Sequence, residues 1–113
     1  MQKFVTGLRR LSRFEVKLGE LQMIGGQFRQ KMVDLLMSLD IIDLSSGKQV
    51  KHIIVLAGDA DFVPAIKRAK VKGVITHLFY HPSSVHNQLL DEVDELHIID
   101  KDFLEKCKKT TID

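Results

Sequence analysis

Three short apolar runs constrain the fold of this chain more than any other feature of its sequence. They are rich in β-branched or aromatic residues and read HIIVLA over 52–57, VITHLFY over 74–80 and LHII over 96–99. Runs that are apolar without strict alternation are typical of strands covered on both faces, as in a parallel sheet. We therefore predict three neighbouring parallel strands.

Helical patterns separate these runs. The segment 62–72 has apolar side chains on one side and lysines on the other, and it is followed by Gly73, a residue type that often ends helices. A shorter helix is predicted over 84–92, with Ser83 or Ser84 as its N-cap. Strands that alternate with helices form right-handed parallel crossovers. The expected fold is a three-layer α/β/α domain with a central, mainly parallel sheet.

Further elements are predicted outside this core. They are a basic helix over 3–11, a strand over 14–18, a helix over 28–39 whose apolar stripe would pack on the sheet, and a last helix over 102–109. The glycines at 19, 25 and 26 indicate a loop between the second and third of these elements.

The size and composition of the chain favour one domain over residues 1–113. With 113 residues, 44% of them hydrophobic, it can bury one core but not two of usual size. Its apolar runs are far shorter than the roughly 20 residues that a membrane span requires. The single Cys107 cannot form an internal disulfide, which favours a reducing compartment. We therefore expect a cytoplasmic protein that does not insert into a membrane.

The densest chemical signal is the segment Gly58-Asp59-Ala60-Asp61-Phe62, which directly follows the first predicted strand. Ligands of open α/β sheets bind beyond the carboxyl ends of the strands. Carboxylates placed there can hold a hard cation such as Mg²⁺ or Mn²⁺, which prefers oxygen ligands. The alternative is that Asp61 is only the N-cap of the following helix. The segment by itself does not decide between the two.

Asp34 favours the metal site. It interrupts the apolar pattern of the helix predicted over 28–39, so its carboxylate lies either at the edge of the core or in a cleft. Pairing with Lys31, three residues earlier, is the alternative. Asp40 lies about 240° further round a regular helix and cannot share a site with Asp34. We interpret Asp40 and Asp43 as surface and helix-end residues.

Several of these elements occur together in one known family. They are Lys31-Met32-Val33-Asp34, Gly58-Asp59-Ala60-Asp61-Phe62-Val63-Pro64, Lys72-Gly73, Ser83-Ser84 and Val93-Asp94-Glu95. From about Phe14 to Asp100 the chain resembles the NYN domain family, the LabA-like branch of the PIN-like nucleases. One departure is Met32, because the family pattern usually has Gly there.

The resemblance implies a metal-dependent endoribonuclease with a PIN-like fold. Asp34, Asp59 and Asp61 would be its catalytic and metal-holding carboxylates, with Mg²⁺ or Mn²⁺ as cofactor and single-stranded RNA as substrate. Contacts to RNA phosphates are expected from Lys31, Lys67, Arg68, Ser83 and Ser84. Asp94 also matches the family pattern, but it precedes a strand at the opposite end of the sheet and is assigned a structural role.

The first strand of the family pattern, which ends in an aspartate, does not precede Lys3 in this sequence. We expect either a domain truncated at its N-terminus or the loss of one acidic ligand. In the second case the domain would be a catalytically inactive module that binds RNA or a protein. A second copy could fill the sheet edge left open, giving a homodimer. A remote alternative, a phosphatase of the haloacid dehalogenase type, requires an Asp-x-Asp nucleophile near its start that the sequence lacks.

The histidines suggest no second chemistry at this stage. The five of them, His52, His77, His81, His86 and His97, are not at zinc-ligand spacings with cysteines and are interpreted as structural or surface residues. Phe79 and Tyr80 end a predicted strand near the cleft, where they would either stack on a base or belong to the core.

Overall fold

The computed structural model describes residues 2–16, 18, 20–24, 27–31 and 33–109, with the side chains of 20–24, 27–31 and 109 left aside. By its internal contacts the chain divides into two compact units, Met1–Leu36 and Met37–Asp113. Each unit is described by itself below. None of the helices within the described residues has the length and apolar character needed to cross a bilayer.

The first unit contains one helix and one hairpin. Helix α1 spans Gln2–Arg9, as predicted from the sequence. Strands β1 (Glu20–Ile24) and β2 (Gln27–Lys31) pair antiparallel, with Glu20 opposite Lys31. This hairpin was not predicted, and it adds a second, two-stranded sheet to the fold.

Two predictions in this unit are therefore wrong. Residues 14–16 and 18 form no strand, and residues 28–31 belong to β2 rather than to a helix. A strand forms where its backbone N–H and C=O groups find partners, and here residues 20–24 pair with 27–31. The predicted glycine loop at 19, 25 and 26 lies outside the described residues.

Helix α2 spans Val33–Ser46, so it begins and ends later than the predicted helix. Ile41 and Ser45 are buried, and the Ser45 hydroxyl donates a hydrogen bond of 2.6 Å to the Ile41 carbonyl. Asp40 and Asp43 thus lie inside the helix; Asp43 is exposed, as expected, whereas Asp40 is half-buried.

The second unit contains the predicted three-stranded parallel sheet in the order β3-β4-β5. Its strands are β3 (His52–Leu56), β4 (Ile75–Tyr80) and β5 (Glu95–Ile98). A 3₁₀ turn (Ala60–Phe62) and helix α3 (Val63–Val71) connect β3 to β4. A second 3₁₀ turn (Pro82–Ser84) and helix α4 (Asn87–Glu92) connect β4 to β5. Helix α5 (Lys101–Lys109) follows β5. The α/β fold class predicted from the sequence is confirmed.

The core lies on the inner face of this sheet. Ile66, Leu78 and Leu89, from α3, β4 and α4, are completely buried. Each such side chain contributes about 1.5–3 kcal/mol through removal of its apolar surface from water. Ile53 and Val55 of β3 belong to the same cluster. This packing holds the two crossover helices, and hence the loops at the carboxyl ends of β3 and β4, against the sheet.

The outer face of the sheet is only partly covered. Phe103 of α5 lies against Phe79 of β4, with ring centroids 5.6 Å apart. Ile54 and Leu56 of β3 remain 67% and 68% exposed. The prediction that all three strands are covered on both faces is therefore wrong for β3, because the α5 contact is made on β4.

Helix ends follow the expected chemistry with one exception. Gly73 follows α3 with φ of +82°, a left-handed conformation that glycine adopts without strain. The N-cap of α4 is His86, whose Nδ1 accepts a hydrogen bond of 3.2 Å from the backbone N–H of Gln88. Ser83 and Ser84, the predicted caps, lie in the preceding 3₁₀ turn instead, because α4 begins later than predicted.

Candidate metal centre

The loop that leaves the carboxyl end of β3 carries two exposed carboxylates, those of Asp59 and Asp61. Asp59 has an extended backbone, and its Oδ1 accepts a hydrogen bond of 3.0 Å from the backbone N–H of Asp61. Its carbonyl accepts another of 3.3 Å from the N–H of Phe62. Asp59 is therefore the N-cap of the 3₁₀ turn. The alternative that Asp61 fills this role is wrong, and Asp61 makes no cap hydrogen bond.

Two neighbours fix this loop in place. Phe62 is only 3% exposed and anchors the end of the 3₁₀ turn in the core. Gly58 lies so close to the next loop that a Cβ on it would overlap the carbonyl oxygen of Ser84. The Gly58 carbonyl also accepts a hydrogen bond of 2.9 Å from the N–H of His86. The loops that follow β3 and β4 are thus held together through backbone atoms, which explains the glycine of the motif.

Asp34 lies in the first turn of α2 and is half-buried. At roughly 100° per residue, Asp34 falls within about 20° of Ile41 and Ser45, the buried positions of this helix. Within the second unit, one carboxylate oxygen of Asp59 lies within 4.8 Å of one of Asp61. These two groups can contribute to a divalent metal site, and Asp34 stays the predicted third ligand.

Four of the five predicted RNA-contact residues have exposed side chains in the structure. Lys67 and Arg68 are exposed on α3, and Ser83 and Ser84 are exposed in the turn after β4. The side chain of Lys31 lies outside the described part of the structure.

The backbone N–H groups of Ser83 and Ser84, two predicted phosphate contacts, both donate within their own turn. The N–H of Ser83 donates to Nδ1 of His81 at 3.2 Å, and that of Ser84 donates to the His81 carbonyl at 3.1 Å. Both groups are occupied within the 3₁₀ turn, so only the hydroxyls remain for an external phosphate. The Ser83 hydroxyl itself lies 2.7 Å from His81 Nδ1.

A recess of about 220 Å³ adjoins the carboxylate loop. It lies at the carboxyl ends of the strands, and its lining includes Gly58, Tyr80, His81 and Ser84. Two residues with rings, Tyr80 and His81, are thus among those lining a recess that includes Gly58, the residue before Asp59.

Asp94 has structural contacts. Its Oδ2 accepts hydrogen bonds from the Thr76 N–H at 2.8 Å and from the Thr76 hydroxyl at 2.9 Å. The backbone bond is the largest of the effects that lower the pKa of Asp94 below its ordinary value, followed by the bond from the Thr76 hydroxyl. These bonds tie the start of β5 to β4, far from the carboxyl ends of the strands.

A second group of metal-ligand side chains lies on the outer face of the sheet. One atom each from His77, Glu95 and His97 falls within 4.8 Å of the others. Their spacing in the sequence does not indicate this group, because it depends on the register of β4 and β5. Histidines at alternate positions of predicted neighbouring strands are the only sequence signal that could have pointed to it.

A family model described as the NYN domain matches residues 1–100, most of the chain. The chain belongs to the NYN domain family. The resemblance inferred from the K-x-V-D and G-D-x-D-F-x-P elements is confirmed, and with it the PIN-like α/β fold. NYN membership also removes the reason for considering a haloacid dehalogenase phosphatase.

Two relatives are similar to this NYN domain over most of its length. Uncharacterized protein y4oD of Sinorhizobium fredii (strain NBRC 101917 / NGR234) is 35% identical over 95 residues, which are 81% of this chain and 44% of y4oD. The crystal structure of VPA0982, a protein of unknown function from Vibrio parahaemolyticus RIMD 2210633, has a TM-score of 0.71 at 27% identity, covering 90% of this chain and 62% of VPA0982. The chain thus spans less than two thirds of either relative, and both support the family and fold rather than an activity.

Proposed function

We propose that this NYN domain is a metal-dependent endoribonuclease that hydrolyses phosphodiester bonds of single-stranded RNA. The observation that carries the proposal is the pair of Asp59 and Asp61 carboxylates, whose oxygens lie within 4.8 Å of each other at the carboxyl end of β3. Asp34 is proposed as the third carboxylate of this centre. Like charges at this separation repel each other, and a divalent cation between them removes the repulsion. In a family of nuclease-like fold, such a site is the natural place for phosphodiester cleavage.

The donor set fits a hard cation. All three ligand groups are carboxylates, and Mg²⁺ and Mn²⁺ prefer oxygen ligands. When bound, the ion would supply charge neutralisation at the scissile phosphate and a lowered pKa for an attacking water. The protein's own part is to hold the carboxylates: Phe62 and Gly58 fix the loop of Asp59 and Asp61, and α2 carries Asp34.

RNA would lie across the carboxyl end of the sheet. Lys67 and Arg68 are exposed on the helix that directly follows the carboxylate loop, where they would contact backbone phosphates. Lys31 and the hydroxyls of Ser83 and Ser84 are proposed as further contacts.

The recess beside Gly58 is proposed to accept a base, since its lining residues include Tyr80 and His81, whose rings would stack on it. A base reaches such a recess only when it is unpaired, which favours single-stranded RNA. A cytoplasmic location and a homodimer remain proposals of the same kind.

One observation favours a second candidate, a catalytically inactive module that binds RNA. The Asp59 carboxylate already has a structural role as the cap of the 3₁₀ turn, which needs no metal. In that case the domain would bind RNA through Lys67 and Arg68 without cutting it.

Cleavage of single-stranded RNA by untagged protein in Mn²⁺ separates the two candidates. The nuclease proposal predicts cleavage by the natural protein and a loss of at least about a hundredfold in the double variant Asp59→Asn/Asp61→Asn. The matched control is Asp43→Asn/Asp91→Asn, which makes the same change of charge at two exposed aspartates of α2 and α4.

The control should cut RNA at the natural rate, and circular dichroism should show that both double variants fold. Natural protein that binds RNA but leaves it intact in Mn²⁺ would establish the inactive module instead. Equal cleavage by the two double variants would remove Asp59 and Asp61 from the mechanism.

A further inference from the structure

Three histidines form a row across the outer face of the parallel sheet. His52 of β3, His77 of β4 and His97 of β5 each come from a different strand. Nδ1 of His52 lies 3.0 Å from Nε2 of His77, and Nδ1 of His77 lies 3.2 Å from Nε2 of His97. Glu95 adds a carboxylate, with Oε2 2.9 Å from the same Nδ1 of His77.

The strand register produces this convergence. In the parallel ladder, His77 is paired with Glu95 and Phe79 with His97. Residues two apart on a strand share a face, so His77 faces both Glu95 and His97 from the neighbouring strand. The Phe79 ring stacks on the His97 imidazole, with centroids 4.6 Å apart and planes at 13°, which holds that imidazole in place.

Three potential lone pairs meet at one point in this arrangement. Nδ1 of His77 faces both the Glu95 carboxylate and Nε2 of His97. In the neutral His77 ring a single proton on Nδ1 would have to serve both partners, and without it Nδ1 and the Glu95 carboxylate are two acceptors that face each other. A cation that accepts all three lone pairs resolves the conflict.

Two of the three separations are close to those of a zinc site, and the third, between Glu95 and His97, is within 4.8 Å. Zinc–nitrogen bonds of about 2.0–2.1 Å at tetrahedral angles place neighbouring donor atoms roughly 3.3 Å apart. The distances from His77 Nδ1 to Glu95 Oε2 and to His97 Nε2 are 2.9 Å and 3.2 Å. Movements of a few tenths of an ångström would therefore admit the ion, and solvent would reach a fourth position, since the Glu95 side chain is 56% exposed.

His52 supplies the second interaction that metal-binding histidines usually have. A histidine that binds metal through one ring nitrogen generally donates the proton on its other nitrogen to a nearby acceptor, which fixes its tautomer. His52 Nδ1 is such an acceptor, 3.0 Å from His77 Nε2. With the His77 proton on Nε2, Nδ1 of His77 is left free to bind a metal.

We propose that His77, Glu95 and His97 form a binding site for a borderline transition-metal ion of the Zn²⁺ type, with His52 as a positioning residue. Two imidazoles and one carboxylate favour Zn²⁺ over Mg²⁺, the opposite preference to that of the three aspartates. The site lies among apolar side chains such as Ile54, paired with His77 in the ladder, and Ile75. It does not depend on the proposed nuclease activity.

The test is a titration of untagged, metal-free full-length protein with Co²⁺ as a spectroscopic substitute for Zn²⁺. Tetrahedral Co²⁺ with nitrogen ligands absorbs visible light far more strongly than octahedral Co²⁺ among oxygens. The natural protein should bind one Co²⁺ with the intense spectrum, and Zn²⁺ should displace it.

Glu95→Gln changes an exposed side chain with little risk to folding, and it should weaken Co²⁺ binding at least about tenfold. His97→Asn should remove the intense Co²⁺ spectrum. His52→Asn should weaken Co²⁺ binding by about 10–100-fold without changing the shape of that spectrum. His86→Asn is the matched control, because asparagine also serves as an N-cap for α4. Asp59→Asn/Asp61→Asn should keep the intense spectrum.

Three results would overturn the proposal. One is a natural protein that gives only the weak octahedral spectrum. The second is Glu95→Gln binding Co²⁺ as tightly as the natural protein. The third is loss of the intense spectrum in Asp59→Asn/Asp61→Asn while that variant remains folded, because the carboxylate centre would then be what binds Co²⁺.

Discussion

The two groups of metal-ligand side chains differ in how the chain builds them. In the proposed carboxylate centre, Asp59 and Asp61 lie on one loop at the end of a strand, and the third carboxylate, Asp34, lies in the first turn of α2. In the histidine group, every ligand lies within a strand, on the partly exposed outer face of the sheet. The first follows from loop and helix geometry, the second from strand register alone.

This difference has chemical consequences. The loop site has only oxygen ligands and opens toward a recess at the edge of the sheet, which suits a hard ion and a phosphate substrate. The sheet site has two imidazoles, a packed phenyl ring and apolar neighbours, which suits tight binding of a softer ion. One small sheet can thus carry two metal preferences, each set by the ligands its local structure presents.

The largest expected effect is removal of the hard ion. Chelation of divalent metal should lower RNA cleavage at least about a hundredfold, because the phosphate charge would then be unshielded. Mg²⁺ or Mn²⁺ should restore the rate, whereas His97→Asn should leave the Mn²⁺-dependent rate unchanged. A His97→Asn variant that has lost cleavage but remains folded would show that the two centres are not independent. Gel analysis of labelled RNA measures both rates.

The next effect is local to the carboxylate loop. Gly58→Ala should lower the free energy of unfolding by about 1–3 kcal/mol, because the new methyl group overlaps the Ser84 carbonyl and pushes two loops apart. The rate of RNA cleavage should fall together with the stability, whereas the Co²⁺ spectrum of the histidine group should be unchanged. Gly47→Ala is the control, since its Cβ would meet only the Leu44 carbonyl at an ordinary 3.7 Å. Urea denaturation that does not separate the two variants would contradict this explanation of the motif glycine.

Asp94→Ala should act on the histidine group rather than on the carboxylate centre. It removes the hydrogen bonds to Thr76 that tie β4 to β5, at a cost of about 1 kcal/mol, because Asp94 is exposed to solvent. Loosened register between these strands should weaken Co²⁺ binding by the histidine group and leave Mn²⁺-dependent cleavage unchanged. Glu92→Ala, also near the end of α4, should change neither. The reverse pattern, lost cleavage with intact Co²⁺ binding, would assign Asp94 to the carboxylate centre.

The hydrogen bonds between Asp94 and Thr76 predict that the stability of the protein depends on pH. The pKa of Asp94 is lowered in the folded state, so its bonds contribute stability above the unfolded-state pKa of about 3.9. That contribution is lost as the pH falls through the lower folded-state pKa. The stability difference between natural protein and Asp94→Ala should therefore be constant near neutrality and shrink in acid. A difference that grows in acid would have the wrong sign.

The smallest effect concerns RNA contacts. Lys67→Ala/Arg68→Ala should weaken RNA binding several-fold and reduce its dependence on salt concentration by about one phosphate contact per residue. Lys101→Ala/Lys106→Ala on α5 is the control with the same change of charge. Fluorescence anisotropy at several salt concentrations measures both. Equal salt dependence in the two variants would exclude α3 from the RNA surface.

Most of the second unit could be predicted from the sequence because its signals are local. The apolar runs specify β3 and β4, and Gly73 marks the end of α3. Asp59 and Asp61 are fixed by their own loop. Asp34 was predicted to lie on a helix, and it does so although that helix begins several residues later than predicted.

The remaining features depend on long-range pairing. Phe28 fits both the apolar stripe of a helix and the strand β2, and only pairing with β1 decides between them. The Gly25-Gly26 pair was the available hairpin signal. The histidine group requires the register of two parallel strands, which the lengths of α4 and its loops determine. The local sequence around His77 and His97 does not specify which residues of β4 and β5 pair with each other.

The most direct test of the carboxylate centre is Mn²⁺ titration of Asp34→Asn by calorimetry, with Asp43→Asn on the same helix as control. The proposal assigns Asp34 an oxygen ligand from a separate element, so its loss should weaken Mn²⁺ binding at least about tenfold, while the control binds as the natural protein does. Unchanged Mn²⁺ affinity in a folded Asp34→Asn variant would contradict the proposal that α2 brings a third carboxylate to the loop after β3.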